Sequence, residues 1–237
     1  GREQSAQAEA TQEPKPAEKQ EPKPAENKPQ EGGAAPAQDK APERPKYPKE
    51  PAHDPVKDAL LEVLDGTLPL RVEAHRPDEI RQALALAADK KVPVLVLEQP
   101  FAAASCAADL ANAGVACVLA DVWPTQLPKP YDAYDLTALP AALQQQGVAF
   151  AIATGSGRRA GALPLMAACA VGRGLDETAA LRAITLTPAE ILGVQNDVGS
   201  LQAGKLGDLL VTDRPLFASD CRVLAVLAAG VTQFQAK

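Results

Sequence analysis

From residue 56 onward, helical stretches alternate with short runs that are apolar at nearly every position: VPVLVLE (92–98), VACVLAD (115–121) and VAFAIAT (148–154). A strand with one wet face alternates polar and apolar residues, whereas a strand covered on both faces has no such need. Leu68–Val72 reads as a fourth strand ahead of these three. The intervening text is helical: VKDALLEVL (56–64), PDEIRQALALAADK (77–90), an Ala-rich segment over 102–113 that stops at Gly114, and a short helix ending at Gln146 after a polar, Pro-rich loop. Pro77 suits a first helical turn, Asp78 and Glu79 favour its positive end, and Ile80, Ala83, Leu84 and Ala87 form one apolar stripe. Repeated strand–helix units with wholly apolar strands require a parallel sheet clothed in helices. The pattern alone leaves open sheet and barrel undecided.

The two ends differ from this middle. Residues 1–55 hold 11 of the 22 prolines and contain a near repeat, EPKPAEKQ (13–20) followed by EPKPAENK (21–28). With so little apolar surface to bury, this segment is expected to be a disordered linker or expanded loop. Its charges nearly cancel, ten basic against eleven acidic over 1–57, which argues against a polybasic anchor. At the other end, LPLMAACAVGRG (163–174) and DETAALRAIT (176–185) are expected helices, the second with Asp176 as N-cap. TPAEILG (187–193) is expected to be a short helix with Pro188 first and Gly193 as its stop. GSLQAGKLGDLLVTD, RVLAVLAAG and VTQF then suggest an antiparallel β element. The domain reading is a linker over 1–55, a partial barrel over 56–193 and a C-terminal β element over 194–237.

Bulk properties exclude several classes of partner. A net charge of -6 and a pI near 5.1 give no basic surface for nucleic acid. No apolar run reaches the roughly 18 residues of a membrane-crossing helix. The four cysteines are far apart with no CxxC pair, so they read as small buried apolar residues rather than zinc ligands or a disulfide framework. Aromatics are only 3%, so the core must rest on Ala, Leu and Val. The chain starts at Gly1 and has no signal-peptide pattern, and it reads as a fragment.

LRAITLTPAEILGVQNDVGSLQAGKLGDLLVTDRPL, followed by RVLAVLAAGVTQF, resembles the C-terminal signature of the amidohydrolase superfamily, closest to its imidazolonepropionase-like branch. LPLRVEAHRPDEIRQALALA is similar to the segment around that family's fifth barrel strand. The resemblance covers roughly residues 56–237. It implies an α/β fold: the second half of a (β/α)8 barrel plus the C-terminal strands of a small flanking β-sandwich. It also implies a hydrolase of non-peptide carbon–nitrogen bonds that uses zinc or another divalent metal. Asp208 matches a residue with a structural role in the β domain. A missing N-terminal barrel half, or a second copy of the chain, is the expected partner.

The same resemblance locates the candidate site at the C-terminal tips of the strands. His75 stands where a metal-binding His is expected, Gln99 where the family has a second His, and Gly155 where it has the metal-binding Asp that takes a proton from water. Glutamine is a poor zinc ligand and glycine has no side chain, so the expected metal set is degenerate and no cofactor is expected. Glu73, His75, Glu98, Gln99, Asp121, Thr154 and Ser156 would form a polar ring at the mouth, able to bind a small polar ligand. His75 is the one candidate metal ligand. The competing readings are a non-catalytic companion of an active amidohydrolase, and a metal-free enzyme using the His75–Glu73 pair. FAIATGSGRRAG (150–161) lacks the spacing of a phosphate loop or a nucleophile elbow and reads as a metal turn that lost its Asp. Arg158 and Arg159 read as solvated surface.

Overall fold

A computed structural model describes residues 52–123, 127 and 129–236. The expected linker over 1–55 therefore lies almost entirely outside the described residues. Helix α1 (Pro55–Leu64) opens with proline in its first turn, and the Asp54 carboxylate accepts the Val56 N–H at 3.1 Å. Strand β1 (Leu70–Glu73) is followed by α2 (Pro77–Lys90), β2 (Leu95–Glu98), a 3-10 turn (Ala103–Cys106) and α3 (Ala107–Ala113). Then come β3 (Ala116–Ala120), α4 (Leu139–Gln145), β4 (Phe150–Ala153), a second 3-10 turn (Gly157–Ala162) and α5 (Leu163–Gly172). Helices α6 (Glu177–Ile184) and α7 (Leu186–Ile191) precede a second sheet of β5 (Leu209–Thr212), β6 (Val223–Ala228) and β7 (Val231–Gln235).

Each strand of the first sheet is shorter at its start than its apolar run. The N–H groups of Val92, Val115 and Val148 donate back to the carbonyls of Ala87, Leu110 and Leu143, at 2.9, 3.1 and 3.0 Å. These residues close the preceding helix through a six-to-one bond, behind a left-handed residue at Lys91, Gly114 or Gly147. Leu68 is likewise spent on the Glu62 carbonyl at 2.9 Å, and Pro69 has no N–H, so β1 starts at Leu70 rather than Leu68. The segment read as one helix over 102–113 is split into the first 3-10 turn and α3. Pro188 is the third residue of α7, not its first.

All four strands of the first sheet are parallel and lie in chain order, β1-β2-β3-β4, with Glu73 opposite Glu98 and Glu98 opposite Val118. A doubly wound sheet reverses its order at a switch point; an unreversed order is an arc of a barrel. One face carries Leu95, Leu97, Cys117, Leu119, Phe150 and Ile152 into the core formed with Ile80, Leu110, Leu143 and Met166. Leu97, Ile80, Leu110 and Leu143 are fully buried there. By strand alternation the other face carries Arg71, Glu73, Val96, Glu98, Val118 and Ala151.

The second sheet is an antiparallel meander, as expected from the rhythm of the tail. Asp208 Oδ1 accepts the Ala229 N–H at 2.7 Å, fixing the hairpin between β6 and β7, which is a structural role. Large apolar side chains are left exposed on α1 (Val56, Leu60, Leu61, Leu64) and on this sheet (Leu210, Leu224, Val231, Phe234).

Candidate functional site

The C-terminal tips of β1 to β4 lie side by side, because the strands are parallel and in order. Chain ordering alone thus gathers His75, Gln99, Asp121 and Gly155 along one edge. Ladder bonds continue past the strand ends: Ala74 N–H to Glu98 O at 3.3 Å, Gln99 N–H to Val118 O at 2.9 Å, and Asp121 N–H to Ala153 O at 3.1 Å. Gln99 (φ 49°), Asp121 (φ 56°) and Gly155 (φ 67°) are all left-handed at three consecutive tips. For the two non-glycine residues this costs on the order of 1–3 kcal/mol each, a strain held by the surrounding bonds.

His75 is tightly bound. Its Nδ1 lies 2.8 Å from the Gln99 carbonyl, and a carbonyl only accepts, so Nδ1 carries the hydrogen. Its Nε2 lies 3.2 Å from Glu73 Oε1. The ring stacks on Phe101 with centroids 4.4 Å apart and an 8° interplanar angle, and Tyr131 meets it edge-on at 5.2 Å. Glu79 accepts the N–H of His75 at 2.8 Å and of Arg76 at 3.0 Å, joining the start of α2 to the β1 tip. Those backbone bonds, Arg76 first and His75 next, hold the Glu79 carboxyl below its ordinary range.

The remaining residues fall into two further groups. Glu98 pairs with Arg71 on the sheet face turned away from the helix-covered core. Asp121 pairs with Arg159 Nη1, while its Oδ2 lies 3.0 Å from where a Cβ on Gly155 would stand. Thr154 Oγ1 donates to the Ser156 carbonyl at 2.9 Å, and the Arg159 N–H donates to the same oxygen at 3.1 Å. The seven residues of the expected ring thus resolve into small local groups: His75 with Glu73 and the Gln99 carbonyl, Glu98 with Arg71, and Asp121 beside Gly155. Thr154 and Ser156 bond within their own turn.

Sequence reasoning missed four participants. Arg159, read as solvated surface, is exposed as expected and is also the partner of Asp121. Arg71, Phe101 and Tyr131 gave no signal, because their roles depend on cross-strand register and loop return rather than spacing. A small apolar cavity lined by Gln99, Phe101, Leu119, Ala120, Val122, Leu136 and Leu139 lies behind the β2–β3 tips. Among the described residues no group of three or more His, Cys, Asp or Glu is placed to hold a metal ion.

No curated protein matches the chain. Among solved structures, an amidohydrolase from Thermotoga maritima MSB8 is 26% identical with a TM-score of 0.72, covering 79% of this chain and 49% of that one. A Xaa-Pro dipeptidase with methionine in its active site is 19% identical (TM-score 0.58, covering 76% of this chain and 48% of that one). An adenosine deaminase from Xanthomonas campestris with bound zinc is 21% identical (TM-score 0.53, the same coverages). The last two likenesses establish the fold alone. The chain spans about half the length of the solved structures it matches. The parallel sheet is therefore a fragment of the barrel these proteins share, with the antiparallel sheet as part of the accompanying β domain. The Amidohydrolase family profile matches residues 105–232, more than half of the sequence, and on that ground the chain belongs to the amidohydrolase family.

Proposed function

We propose that this chain is the second half of an amidohydrolase barrel, a hydrolase of non-peptide carbon–nitrogen bonds by ancestry, whose strand tips no longer form a working metal centre. The observation that carries this reading is the place of Gly155, beside the Asp121 carboxylate and without a donor of its own. Around it, Gln99 engages His75 through its main chain, and both nitrogens of His75 face oxygen acceptors. A catalytic zinc site takes three protein ligands and one open position, and this donor set does not fit it. The domain division proposed is a linker over 1–55, the barrel portion over 56–193 and the β element over 194–237. The imidazolonepropionase-like branch is supported by the motif order of Leu181–Phe234.

A second reading, a non-catalytic companion that completes or stabilises an active barrel, is favoured by the apolar side chains left exposed on α1 and the second sheet. Dialysis of the purified chain against Zn2+, with metal content measured afterwards, tests the leading proposal. Well under one zinc per chain, with a melting temperature unchanged by chelator, is expected. One zinc per chain that disappears in His75→Ala would overturn it.

A further inference from the structure

Each of three carboxylates at this end of the sheet has a basic partner from its own chain: Glu73 with His75, Glu98 with Arg71 and Asp121 with Arg159. The third pair sits at the strand tip that carries Gly155. The Asp121 N–H is tied to Ala153 O at 3.1 Å, which turns its carboxylate across the tip of β4. Oδ1 takes the guanidinium, and Oδ2 occupies space that any side chain at Gly155 would contest at 3.0 Å. Arg159 arrives from the turn that directly follows β4, its own N–H anchored on Ser156 O. Gly155 is left-handed at φ 67°, so its missing Cβ permits both the backbone conformation and the position of Asp121.

We infer that Gly155, Asp121 and Arg159 form one device in which the guanidinium acts as a resident cation, supplying the positive charge at this strand tip and keeping divalent cations off Asp121. A metal bound to Asp121 would have to displace a charge-assisted hydrogen bond, and would otherwise sit within a few ångströms of a neighbouring positive charge. The arrangement therefore replaces an ion-binding tip instead of leaving one vacant. This inference rests on the proposed reading of the mouth as unable to hold a catalytic metal.

Mn2+ binding, followed by the electron paramagnetic resonance signal of free Mn2+, tests the device on the intact chain. Aspartate tolerates left-handed backbone better than most residues, and its Cβ asks the end of the Asp121 side chain to give by only a few tenths of an ångström, so Gly155→Asp is a usable background. Wild type and G155D are expected to bind Mn2+ equally weakly, with Arg159 bridging the two carboxylates in the variant. G155D/R159M should bind at least about tenfold more tightly, since neighbouring carboxylates set divalent affinity, and G155D/R158M should match G155D. G155D or G155D/R158M binding as tightly as G155D/R159M would overturn the inference. An unfolding cycle stands independently of position 155: D121N/R159M should melt no lower than R159M, and fully additive losses would overturn the pairing. Tight, stoichiometric Mn2+ binding by the wild type that D121N leaves unchanged would sink the functional reading and spare the Asp121–Arg159 assignment.

Discussion

At the residue scale, two positions show burial and backbone geometry dictating chemistry. Cys117 is wholly enclosed on β3, and burial pushes its thiol up to about 12. Cys106 is equally buried, while Cys169 and Cys221 are partly open. A thiol titration at pH 8 should therefore leave Cys106 and Cys117 silent in the folded chain and expose them only in denaturant. Gly199 is left-handed at φ 89°, and an added Cβ would stand 2.8 Å from Ala189 Cβ and 3.0 Å from the Thr185 carbonyl at the start of α7. Gly199→Ala should cost about 1–3 kcal/mol in urea unfolding through strain and overpacking. Neither effect can be seen in residue type alone, since the sequence holds four cysteines and 16 glycines of the same spelling.

At the element scale, helix ends carry much of the organisation. Five helix exits share one device: Val92, Val115, Val148, Leu175 and Val194 each donate back five residues, behind Lys91, Gly114, Gly147, Gly174 and Gly193 in left-handed backbone. At Val92, Val115 and Val148 the backbone after the stop is bonded to the helix it has just left, which is why the apolar runs overstate the strands. At the other end of α2, the Glu79 carboxylate binds two backbone N–H groups, including that of His75. Its folded carboxyl is held below the ordinary range, so its contribution to stability is complete above that range and drains away as pH falls through the lower folded value. Glu79→Gln should melt below wild type at neutral pH, with the gap closing as the pH drops beneath about 4; thermal melts across that range measure it. A gap constant with pH would show that the carboxylate charge plays no part in holding the tip.

At the scale of the whole molecule, the exposed apolar surface is unevenly placed. Helix α1 buries none of its residues although Val56, Leu60, Val63 and Leu64 recur at helical spacing. The relatives of known structure are about twice as long, and among the described residues β1 presents one unpaired edge of the parallel sheet. A partner barrel half is the proposed cover for these surfaces. The isolated chain should accordingly self-associate in sedimentation velocity, and Leu60→Gln with Leu64→Gln should shift it toward monomer. A wild-type chain that sediments as a single well-behaved monomer would count against that proposal.

Local chemistry accounts for what could be read directly. Fully apolar runs separated by capped helices dictate a parallel, helix-covered sheet, because backbone polar groups and apolar faces admit few other arrangements. Asp176 acts as the N-cap it was read to be, Gly114 and Gly193 are the stops, and the tail forms an antiparallel meander. Periodicity specifies what a strand buries and not which strand lies beside it, so the barrel was legible only through the family resemblance, and the strand order itself came from the tertiary structure. The Arg159 partner of Asp121 and the Gln99 carbonyl partner of His75 were decided by the tertiary structure, whereas the Glu73–His75 pair was legible in the sequence. Arg159 lies 38 residues from Asp121 in the chain, and the Gln99 carbonyl 24 from His75. Contacts that depend on register and backbone direction are made between strands, where no local pattern records them.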